Sequence, residues 1–485
     1  MSVDIHNWIG GAERQSPGAL RIDRHSPHDG RLLSTMPDSP VGDVEHAIEN
    51  AIDAFPAWSA ITPVQRGNIL YGFAAALRRE ADTLAAIVAE ETGKPVQDAR
   101  GEVGGAIQLA EFFAGEGMRL YARTLTSGMP GKTSHTIRQP IGVAGLIVPA
   151  NTPIANIAWK TFPALICGNT VVLKASEDAP RTAVFFAKLA SASGIPDGVL
   201  NVIYGSGAIT GAALVADPRV GVVSFTGSTG VGRQLAEVVG RRLGRLSLEL
   251  GGKNPLVVCD DADLDRAIHW TALSAFSNAG QRCAAGSRII VMDGIYDRFR
   301  DGLIARARSL TLGVHEGADL GPVMHKRQQA TILSAIARAS DEGATILCGG
   351  GEAPVGLPAE GAYVAPTLVE VPSHDMDIAR RELFGPVATM HRVAGLEEAL
   401  ALANGTEYGL TAAIHTRDVD RANWFAHRVR AGVVNVNIGT YGSEPHMPFG
   451  GFGASGNGTR EPGVEALDVY SELKNISYLT RSELI

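Results

Sequence analysis

Cysteine is scarce in this sequence, and its four copies lie far apart, at positions 167, 259, 283 and 348. No two of them have the CxxC spacing of a zinc site or suggest a disulfide framework, so we expect no bound metal. Reduced thiols are typical of the cytoplasm. The first ten residues also lack the basic and apolar regions of a secretion signal. The sequence therefore predicts a cytoplasmic protein without a metal site.

Positively charged residues are also few, and they do not form a long block. The 43 lysines and arginines are outnumbered by 51 aspartates and glutamates, which gives a formal net charge of −8. A short basic run at 241–245 is more typical of a solvated surface or a subunit contact than of a phosphate-binding stripe. We therefore expect no nucleic-acid partner. The 13 histidines show no HxxxH spacing or triad-like grouping, and we assign them no catalytic role.

An apolar run at 141–168 contains a single charged residue, Lys160. Its length would suffice to cross a bilayer. However, Pro149, Asn151 and Pro153 are among the residues that interrupt it, and polar breaks are costly in lipid. A buried strand, a turn and a helix fit this segment better, so we expect no membrane partner.

With 485 residues, the chain is too long for one core, and we expect two or three domains. The first hundred residues have mostly helical spacing, with a capping box at 62–65. From residue 141 onward, short apolar strands alternate with helices, which predicts an α/β fold with a doubly wound parallel sheet. The predicted strands of this sheet lie at 141–148, 170–173, 200–203, 221–225 and 246–250, with helices at 154–166 and from about 180.

A second alternating region predicts a second α/β domain. Its predicted helices lie at 262–278, 295–310 and 325–342, and its predicted strands at 288–292 and 433–436. Two further segments, 133–138 and 469–479, have extended character. Ligands of doubly wound sheets bind beyond the carboxyl ends of the strands, and the candidate motifs of the first region lie at those ends.

Three separated motifs carry the chemistry of covalent catalysis on a carbonyl group. Gly280-Gln281-Arg282-Cys283-Ala284 places a thiol in a polar loop after a helical run. Glu249 closes a predicted strand, and Asn151 lies between two prolines at another strand end. A nucleophilic sulfur, a base and an oxyanion donor are parts that such a reaction needs. Each residue also has a simpler interpretation: an inert buried cysteine, a surface carboxylate and a turn-forming asparagine.

The joint order of these motifs resembles the aldehyde dehydrogenase superfamily, and the resemblance extends along nearly the whole chain. The thiol loop matches the family's Gly-Gln-x-Cys pattern, 227–232 matches its Gly-Ser-Thr-x-x-Gly turn, and 448–456 matches its closing motif. The resemblance implies NAD-dependent oxidation of an aldehyde to a carboxylic acid through a cysteine thiohemiacetal and thioester. It also implies a homodimer or homotetramer.

The resemblance assigns the catalytic roles residue by residue. Cys283 would attack the aldehyde carbon, and Asn151 would stabilise the oxyanion together with the backbone N–H of Cys283. Glu249 would activate the water that hydrolyses the thioester, and burial at an apolar strand end would raise its pKa toward neutrality, as a base requires. Lys160 completes the predicted catalytic set. CoA-acylating relatives generally lack the glutamate, so Glu249 favours a free acid as the product.

The adenosine end of the cofactor is predicted to bind after the strand at 170–173. Lys174 and Glu177 match the family's adenosine-ribose ligands, with Ser176 between them, although both charges could also be ordinary solvated ones. Glu177 would repel a 2′-phosphate, which favours NAD, while NADP stays possible.

The phosphate and nicotinamide contacts are predicted from two further segments. Gly227, Ser228 and Gly232 open a helix after a strand, where phosphate can approach backbone N–H groups; a tight connection is the simpler alternative. Glu382 matches the family's nicotinamide-ribose ligand, and Phe384 would pack against the nicotinamide. Gln328 aligns with a cofactor-ribose contact.

The substrate pocket implied by the resemblance contains Thr152, Asn156, Trp159 and Arg282, with Ala155 on the same segment. This set is smaller and more polar than the aromatic linings used for simple aliphatic aldehydes, which predicts a polar aldehyde or semialdehyde. Arg282 or Arg119 is a candidate partner for a distal carboxylate, although a surface arginine is the simpler role for each.

The resemblance divides the chain into three parts. We expect a doubly wound NAD-binding domain at 1–120 and 140–252, a second α/β catalytic domain at 253–450, and a small β oligomerisation arm at 121–139 and 460–485. Two other functions remain at this point: a CoA-acylating aldehyde dehydrogenase, and an inactive structural or binding protein that keeps the fold.

Overall fold

The computed structural model describes residues 2–351 and 356–480. Its strands are, in chain order, β1 (Val3–Asp4), β2 (Asn7–Ile9), β3 (Ala12–Arg14), β4 (Arg21–His25), β5 (Leu32–Pro37), β6 (Thr124–Leu125), β7 (Lys132–Pro140), β8 (Val143–Ile147), β9 (Thr170–Lys174), β10 (Leu200–Ile203), β11 (Val220–Thr226), β12 (Arg245–Glu249), β13 (Asn254–Val258), β14 (Gly286–Met292), β15 (Thr345–Cys348), β16 (Thr367–Glu370), β17 (Val387–Val393), β18 (Thr411–His415), β19 (Val433–Val436) and β20 (Ser471–Leu479).

The helices alternate with these strands over most of the chain. They are α1 (Val41–Ala60), α2 (Pro63–Arg79), α3 (Ala81–Thr92), α4 (Val96–Glu116), α5 (Pro153–Ile166), α6 (Pro180–Ala192), α7 (Ala212–Ala216), α8 (Thr229–Arg241), α9 (Leu264–Phe276), α10 (Asp293–Ser309), α11 (Lys326–Asp341), α12 (Asp377–Arg380), α13 (Leu396–Ala403), α14 (Val419–Ala426) and α15 (Ala466–Val469).

The first sheet has the strand order β12-β11-β8-β9-β10-β2-β3. The five strands from β8 to β12 run parallel, and β2 and β3 add an antiparallel hairpin at the edge. The chain builds outward from β8 to β10 and then returns to place β11 on the other side of β8. This reversal creates a switch point between β8 and β11, where ligands of doubly wound sheets bind.

Helices cover both faces of this sheet, as its wholly buried central strands require. One face packs on α2 to α6 around side chains such as Phe73, Phe113 and Phe162. The other face packs on α1, α7 and α8 through Ile48 and Leu214. Two buried layers confirm the predicted doubly wound architecture.

The second sheet has the order β15-β16-β17-β14-β13-β18-β19, parallel except for β15. The chain passes from the carboxyl end of β12 to the amino end of β13 through residues 250–253. The carboxyl edge of the first sheet therefore adjoins the amino edge of the second. This junction sets the place where side chains from both sheets can meet.

Two smaller sheets complete the fold. Strands β6, β7 and β20 form an antiparallel sheet in which Ser471–Leu479 pairs along Lys132–Pro140. Strands β1, β5 and β4 form the other. The strands of the first sheet, the second sheet and the β6-β7-β20 sheet lie in the ranges predicted for the NAD-binding domain, the catalytic domain and the arm. The exception is Pro140 at the end of β7, which lies one residue beyond the predicted arm. The domain boundaries themselves stay a prediction.

Local signals in the sequence explain the ends of several helices. Thr62 caps α2 through a complete capping box with Gln65, and Pro63 occupies the first helical position, as predicted. The helical run ends at Gly93, whose φ of 73° is left-handed. Between these points the chain breaks once, at Glu80, so the predicted single run is two helices.

The prediction that the first hundred residues are helical is wrong for residues 2–37, where the chain forms β1 to β5. These strands have between 2 and 6 residues, too short to show an alternating pattern. They exist because they add to the edges of larger sheets or pair with one another. In the second domain the pattern also missed β13 and β15 to β18. Among the described residues, we find no helix with the length and apolar character needed to span a bilayer.

Candidate active site

A cavity of about 390 Å³ opens beside Cys283, near the junction of the two large sheets. Its walls include Asn151 and Thr152, which follow β8, together with Trp159 from α5 and Arg282 next to the thiol. The cavity thus brings residues predicted for catalysis and for substrate contact together around one sulfur atom.

The loop that carries the thiol has a constrained backbone. Asn278, Ala279 and Gly280 have positive φ angles of 54°, 52° and 66°, a region that residues other than glycine rarely adopt. A Cβ atom at Gly280 would lie 2.1 Å from the carbonyl oxygen of Gly385. Glycine is therefore required here so that the thiol loop can pack directly against the neighbouring segment.

Two buried amide side chains hold this loop from opposite sides. The Nδ2 group of Asn254 donates to the carbonyl oxygens of Cys283 and Ala285, at 2.7 and 2.9 Å. The Oε1 atom of Gln281 accepts from the backbone N–H of Met324 at 2.8 Å. These bonds fix the backbone on either side of the sulfur, and they explain the amide residues at both positions.

The thiol itself is protonated in this environment. Burial raises the pKa of Cys283 to about 12, and the carboxylates of Glu382 and Glu249 act in the same direction. Because only the thiolate is a strong nucleophile, reaction at this sulfur requires a group that takes its proton. The side chain nevertheless borders the cavity, so a substrate can reach it.

Asn151 is held against the thiol loop by its own side chain and by its backbone. Its Nδ2 group donates to the carbonyl oxygen of Gln281 at 2.9 Å, while its Oδ1 atom accepts from Asn156 Nδ2 at 3.1 Å. Its carbonyl oxygen accepts from Lys94 Nζ at 2.9 Å. An amide nitrogen carries two N–H groups, and Asn151 itself borders the cavity, so its second N–H is a candidate donor to a ligand there.

The prediction that Asn156 lines the substrate pocket is not met. The cavity takes Thr152, Ala155 and Trp159 from this segment, while Asn156 is 6% exposed. Its Nδ2 group donates to Asn151 Oδ1 and, at 3.0 Å, to Thr152 Oγ1. The amide faces the turn before α5 because that turn supplies two acceptors, so it orients Asn151 instead of contacting a ligand.

Glu249 is a buried carboxylate without a partner. It closes β12 and is 6% exposed, and within the described residues neither of its carboxylate oxygens forms a hydrogen bond. Burial raises its pKa well above the usual value, and the neighbouring charge of Glu461 raises it further. An unpaired buried acid of this kind is a candidate for proton transfer. The predicted upward pKa shift is therefore present.

Lys160 lies behind this carboxylate and is itself paired. Its ammonium group donates to Glu461 Oε2 at 2.6 Å and to Ser224 Oγ at 2.7 Å. Both charged groups are 1% exposed. Lys160 lowers the pKa of Glu249, whereas Glu461 raises it. The two members of this ion pair therefore shift the pKa of Glu249 in opposite directions.

Sequence reasoning missed Glu461. It follows the closing glycine-rich motif in a loop, where a charged residue normally has a solvated surface position. In the structure it accepts bonds from Lys160, from Ser224 Oγ at 3.0 Å and from Tyr470 Oη at 2.9 Å. The one available signal was Lys160 itself, because a buried lysine in an apolar run needs an acid elsewhere.

The predicted adenosine site lies at the carboxyl end of β9. Lys174 Nζ and Glu177 Oε2 are 2.9 Å apart, and Lys174 is almost fully buried. The hydroxyl of Ser176 accepts from the backbone N–H of Asp178 at 3.3 Å. A fixed ammonium and carboxylate side by side offer the donor and the acceptor that a ribose diol needs.

The predicted phosphate site lies at the amino end of α8, directly after β11. Ser228 caps the helix through a bond from the N–H of Val231 at 3.4 Å. At Gly232 a Cβ atom would lie 2.6 Å from a methyl carbon of Leu250, and at Gly227 it would lie 2.3 Å from the ring of Phe225. The glycines therefore permit close packing of the turn on the sheet, and the helix end leaves N–H groups for an anion.

The nicotinamide positions lie on the segment that packs against the thiol loop. Glu382 Oε1 accepts from the N–H of Gly252 at 3.1 Å, and burial raises the pKa of this carboxyl to about 7. Phe384 has a φ of 53°. Gln328 lies beneath the segment and donates to the carbonyl oxygens of Leu383 and Phe384, at 2.7 and 3.2 Å. Its amide hydrogens thus support the loop.

These groups fit a dinucleotide. A Cβ atom at Gly251 would lie 2.0 Å from Glu382 Oε2, so the glycine pair makes room for an acid at the sheet junction. The ion pair of Lys174 and Glu177 and the amino end of α8 lie at the carboxyl edge of the first sheet, where doubly wound sheets bind cofactors, and Glu382 lies against Gly251 and Gly252 at the sheet junction. Together they would hold NAD or NADP, with Glu382 on the thiol side.

The far wall of the cavity comes from α4 and the turn before it, which the sequence reasoning did not include. Its residues are Lys94, Gln97, Asp98, Gly101, Glu102 and Gly105. Lys94 and Glu102 form a buried pair at 2.6 Å, and Glu102 also accepts from the N–H groups that begin α5. On the opposite wall, Arg282 lies over the ring of Tyr441, 4.8 Å from its centroid.

This arrangement can perform acyl chemistry. A thiol reaches a cavity, an amide N–H lies beside it, and an unpaired carboxylate of raised pKa lies close enough to change the pKa of the thiol. Such groups can add sulfur to a carbonyl, stabilise the resulting oxyanion and activate water.

Comparison with known proteins gives a consistent result. The family model described as "Aldehyde dehydrogenase family" matches residues 14–476. The chain is 37% identical to the α-ketoglutaric semialdehyde dehydrogenase of Bacillus subtilis (strain 168), over 97% of both chains. It is 38% identical to the NADP(+) succinate-semialdehyde dehydrogenase of Escherichia coli (strain K12), over 93% of both.

Solved structures agree with these matches. The crystal structure of PnpE from Pseudomonas sp. WBC-3 is similar with a TM-score of 0.96 and 35% identity, covering 100% of this chain and 99% of that one. A crystal structure of PnpE in complex with nicotinamide adenine dinucleotide is similar with the same TM-score and 36% identity, covering 99% and 98%.

Proposed function

The chain belongs to the aldehyde dehydrogenase family, and on that premise we propose that Cys283, Asn151 and Glu249 oxidise a carboxylate-bearing semialdehyde. The oxidation of an aldehyde to an acid with NAD or NADP is the activity of the enzyme. The predicted CoA-acylating alternative has no support among the relatives, and the unpaired Glu249 favours water as the acceptor. The residue roles, the substrate class and the cofactor preference are the proposal.

The first chemical step adds the sulfur of Cys283 to the aldehyde carbon. Because burial holds the pKa of the thiol near 12, the proton must leave as the bond forms. Glu249, whose raised pKa suits it to accept a proton, has both oxygens free in the described residues. The carbonyl oxygen becomes an oxyanion, and the remaining N–H of Asn151 stabilises it. Removing one such donor typically raises the activation barrier by about 2.7–4 kcal/mol.

When bound, NAD or NADP would supply the oxidising power of the reaction as the acceptor of a hydride. Glu382, Lys174 and Glu177 would hold it in place, and the amino end of α8 would bind its phosphates. Cys283 is left as a thioester. Glu249 releases the thiol proton to solvent and then takes a proton from water, which attacks the thioester carbon; the acid leaves, and that proton passes to the sulfur.

A semialdehyde with a distal carboxylate is the substrate class we propose. The observation that carries this proposal is Arg282, which borders the same cavity as Cys283 and whose Nε makes no hydrogen bond in the described residues. A guanidinium at a cavity wall favours a carboxylate as its partner. The relatives named above act on semialdehydes, which supports this choice.

The preference for NAD follows from charge. Glu177 lies 2.9 Å from Lys174 at the predicted adenosine ribose, where a carboxylate would repel a 2′-phosphate. The match to an NADP(+) relative keeps the second cofactor in the test. Comparing kcat/KM for NAD and NADP decides between them.

Formation of the reduced cofactor, followed by absorbance, tests the proposal. We expect succinate semialdehyde and related ω-oxo acids to exceed alkyl aldehydes of equal length in kcat/KM. Cys283→Ala should abolish turnover while cofactor binding is kept. Faster oxidation of every alkyl aldehyde would reject the substrate class. No reaction with any aldehyde would instead favour the inactive-protein alternative.

The predicted homodimer or homotetramer and the predicted cytoplasmic location are part of the same proposal. The exposed apolar side chains Leu473, Tyr478 and Leu479 on β20 support a subunit contact along the arm. Light scattering coupled to gel filtration would measure the oligomeric state.

A further inference from the structure

The wall formed by α4 contains an acid, Asp98, that the proposed reaction does not use. Asp98 borders the cavity together with Arg282 and Lys94. Lys94 is neutralised by its buried pair with Glu102. Burial raises the pKa of Asp98, while the nearby charges of Arg282 and Lys94 lower it. The cavity therefore offers an anion site and a separate acceptor to the same ligand.

The space beside Asp98 is open because two glycines of α4 follow it. Gly101 and Gly105 both border the cavity, and a Cβ atom added at either would meet nothing within 4 Å. Glycine inside a helix costs about 1 kcal/mol relative to alanine. Since no neighbouring protein atom excludes a side chain there, the two glycines keep room that a straight-chain semialdehyde would not fill.

We propose that Asp98, with the open face at Gly101 and Gly105, selects semialdehydes that carry a hydrogen-bond donor, such as a hydroxyl group, next to the distal carboxylate. The carboxylate binds Arg282, and the neighbouring donor binds Asp98. The branch that carries the donor occupies the space along α4. The inference rests on the proposed function, because it places the carboxylate on Arg282, and it adds a second specificity determinant on the opposite wall.

A carboxylate in the first turn of a helix also has a simpler role, because it stabilises the helix dipole. Asp98 lies in the first turn of α4. A purely structural role would change all substrates equally. The test must therefore measure discrimination between substrates that differ at one atom.

Three probes with the same four-carbon chain meet this need: 4-oxobutanoate, 2-methyl-4-oxobutanoate and 2-hydroxy-4-oxobutanoate, the last two as separate enantiomers. They share the aldehyde and the carboxylate and differ only at carbon 2. We expect one enantiomer of the hydroxy acid to exceed 4-oxobutanoate about tenfold or more in kcat/KM, the size of one charge-assisted hydrogen bond. The methyl acid shows whether the cavity has room for a branch at carbon 2, separately from whether it recognises a hydrogen-bond donor there.

Two pairs of variants assign the effect. Asp98→Asn should lower the hydroxy-to-methyl ratio about tenfold, while Asp82→Asn, an acid in the first turn of α3, should leave it unchanged. Gly105→Ala should reduce kcat/KM for both branched acids severalfold and spare 4-oxobutanoate. Gly104→Ala is its control, because a Cβ there also meets nothing and the residue is not among those that line the cavity.

A hydroxy-to-methyl ratio near one, or a ratio that Asp98→Asn leaves intact, would overturn the inference and leave the proposed function standing, provided that 4-oxobutanoate is oxidised. If none of the three acids reacts while alkyl aldehydes do, the proposed substrate class fails, and this inference fails with it. The two failures are therefore distinguishable in one set of assays.

Discussion

Two buried glutamates lie near one another behind the thiol, and they differ in what surrounds them. Glu461 accepts hydrogen bonds from Lys160, Ser224 and Tyr470. Glu249 has no hydrogen-bond partner among the described residues. A buried carboxylate that is paired keeps a fixed charge, whereas one without partners exchanges its proton readily. The difference supports the proposed role of Glu249 in proton transfer, with the neighbouring Glu461 raising the pKa of Glu249.

The largest effect should follow when Glu249, the glutamate without a hydrogen-bond partner in the described residues, loses its carboxylate. Glu249→Gln keeps the shape but removes the base, so steady-state turnover should fall about 10²–10⁴-fold, the usual contribution of such a group. A rapid burst of reduced cofactor followed by a stall would show that hydrolysis of the thioester is the blocked step and that another group takes the thiol proton, whereas a slow burst would show that Glu249 also serves the addition of the sulfur. If this variant keeps full steady-state turnover, the base is another group.

The same variant should be more stable than the parent protein near neutral pH. Because burial raises the pKa of Glu249, ionisation costs the folded state more than the unfolded one at pH above the unfolded value of about 4.3. This cost grows as pH rises, and glutamine removes it. Thermal unfolding at pH 5 and pH 8 should therefore show a larger gain in Tm at pH 8.

Removing the charge of Lys160, which is paired with Glu461, should have the next largest effect. Lys160→Met leaves Glu461 buried without its counter-charge, which typically costs about 3–5 kcal/mol of stability. Lys160 lowers the pKa of Glu249, so its loss raises that pKa. The basic form of Glu249 then appears at higher pH, and the rising limb of the pH profile of kcat should move upward.

Removing the anion should move the same profile in the opposite direction. Glu461 raises the pKa of Glu249, so Glu461→Gln lowers it, and the limb should appear at lower pH. Glutamine retains an acceptor for Tyr470, so the loss of stability should be smaller than for Lys160→Met. If the pH profiles of Lys160→Met and Glu461→Gln shift in the same direction, the two variants perturb the fold instead of the pKa of Glu249.

The paired glutamate also shows where sequence reasoning stops. Cys283, Glu249 and Asn151 could be proposed from the sequence because each lies in a short motif, at a loop or strand end, that resembles the family's. Glu461 was not, because its burial depends on Lys160, 301 positions away. The wall at Asp98 was missed for the same reason, since α4 meets the thiol loop only in the folded chain. Asn156 was predicted to line the pocket together with its neighbours on the same segment. In the structure its amide instead donates to two nearby acceptors, Asn151 Oδ1 and Thr152 Oγ1.

The smallest effect should come from the hydroxyl that bonds to the paired glutamate. Tyr470 Oη donates to Glu461 Oε1 at 2.9 Å, and the ring is fully buried. Tyr470→Phe removes one of several donors, so the free energy of unfolding should fall by about 1.5–3 kcal/mol, the usual value for a bond to a charged group. The pH limb should move by less than in Glu461→Gln, because the charge stays in place. A larger shift in the phenylalanine variant would show that the hydrogen bonds, and not the charge of Glu461, set the pKa of Glu249.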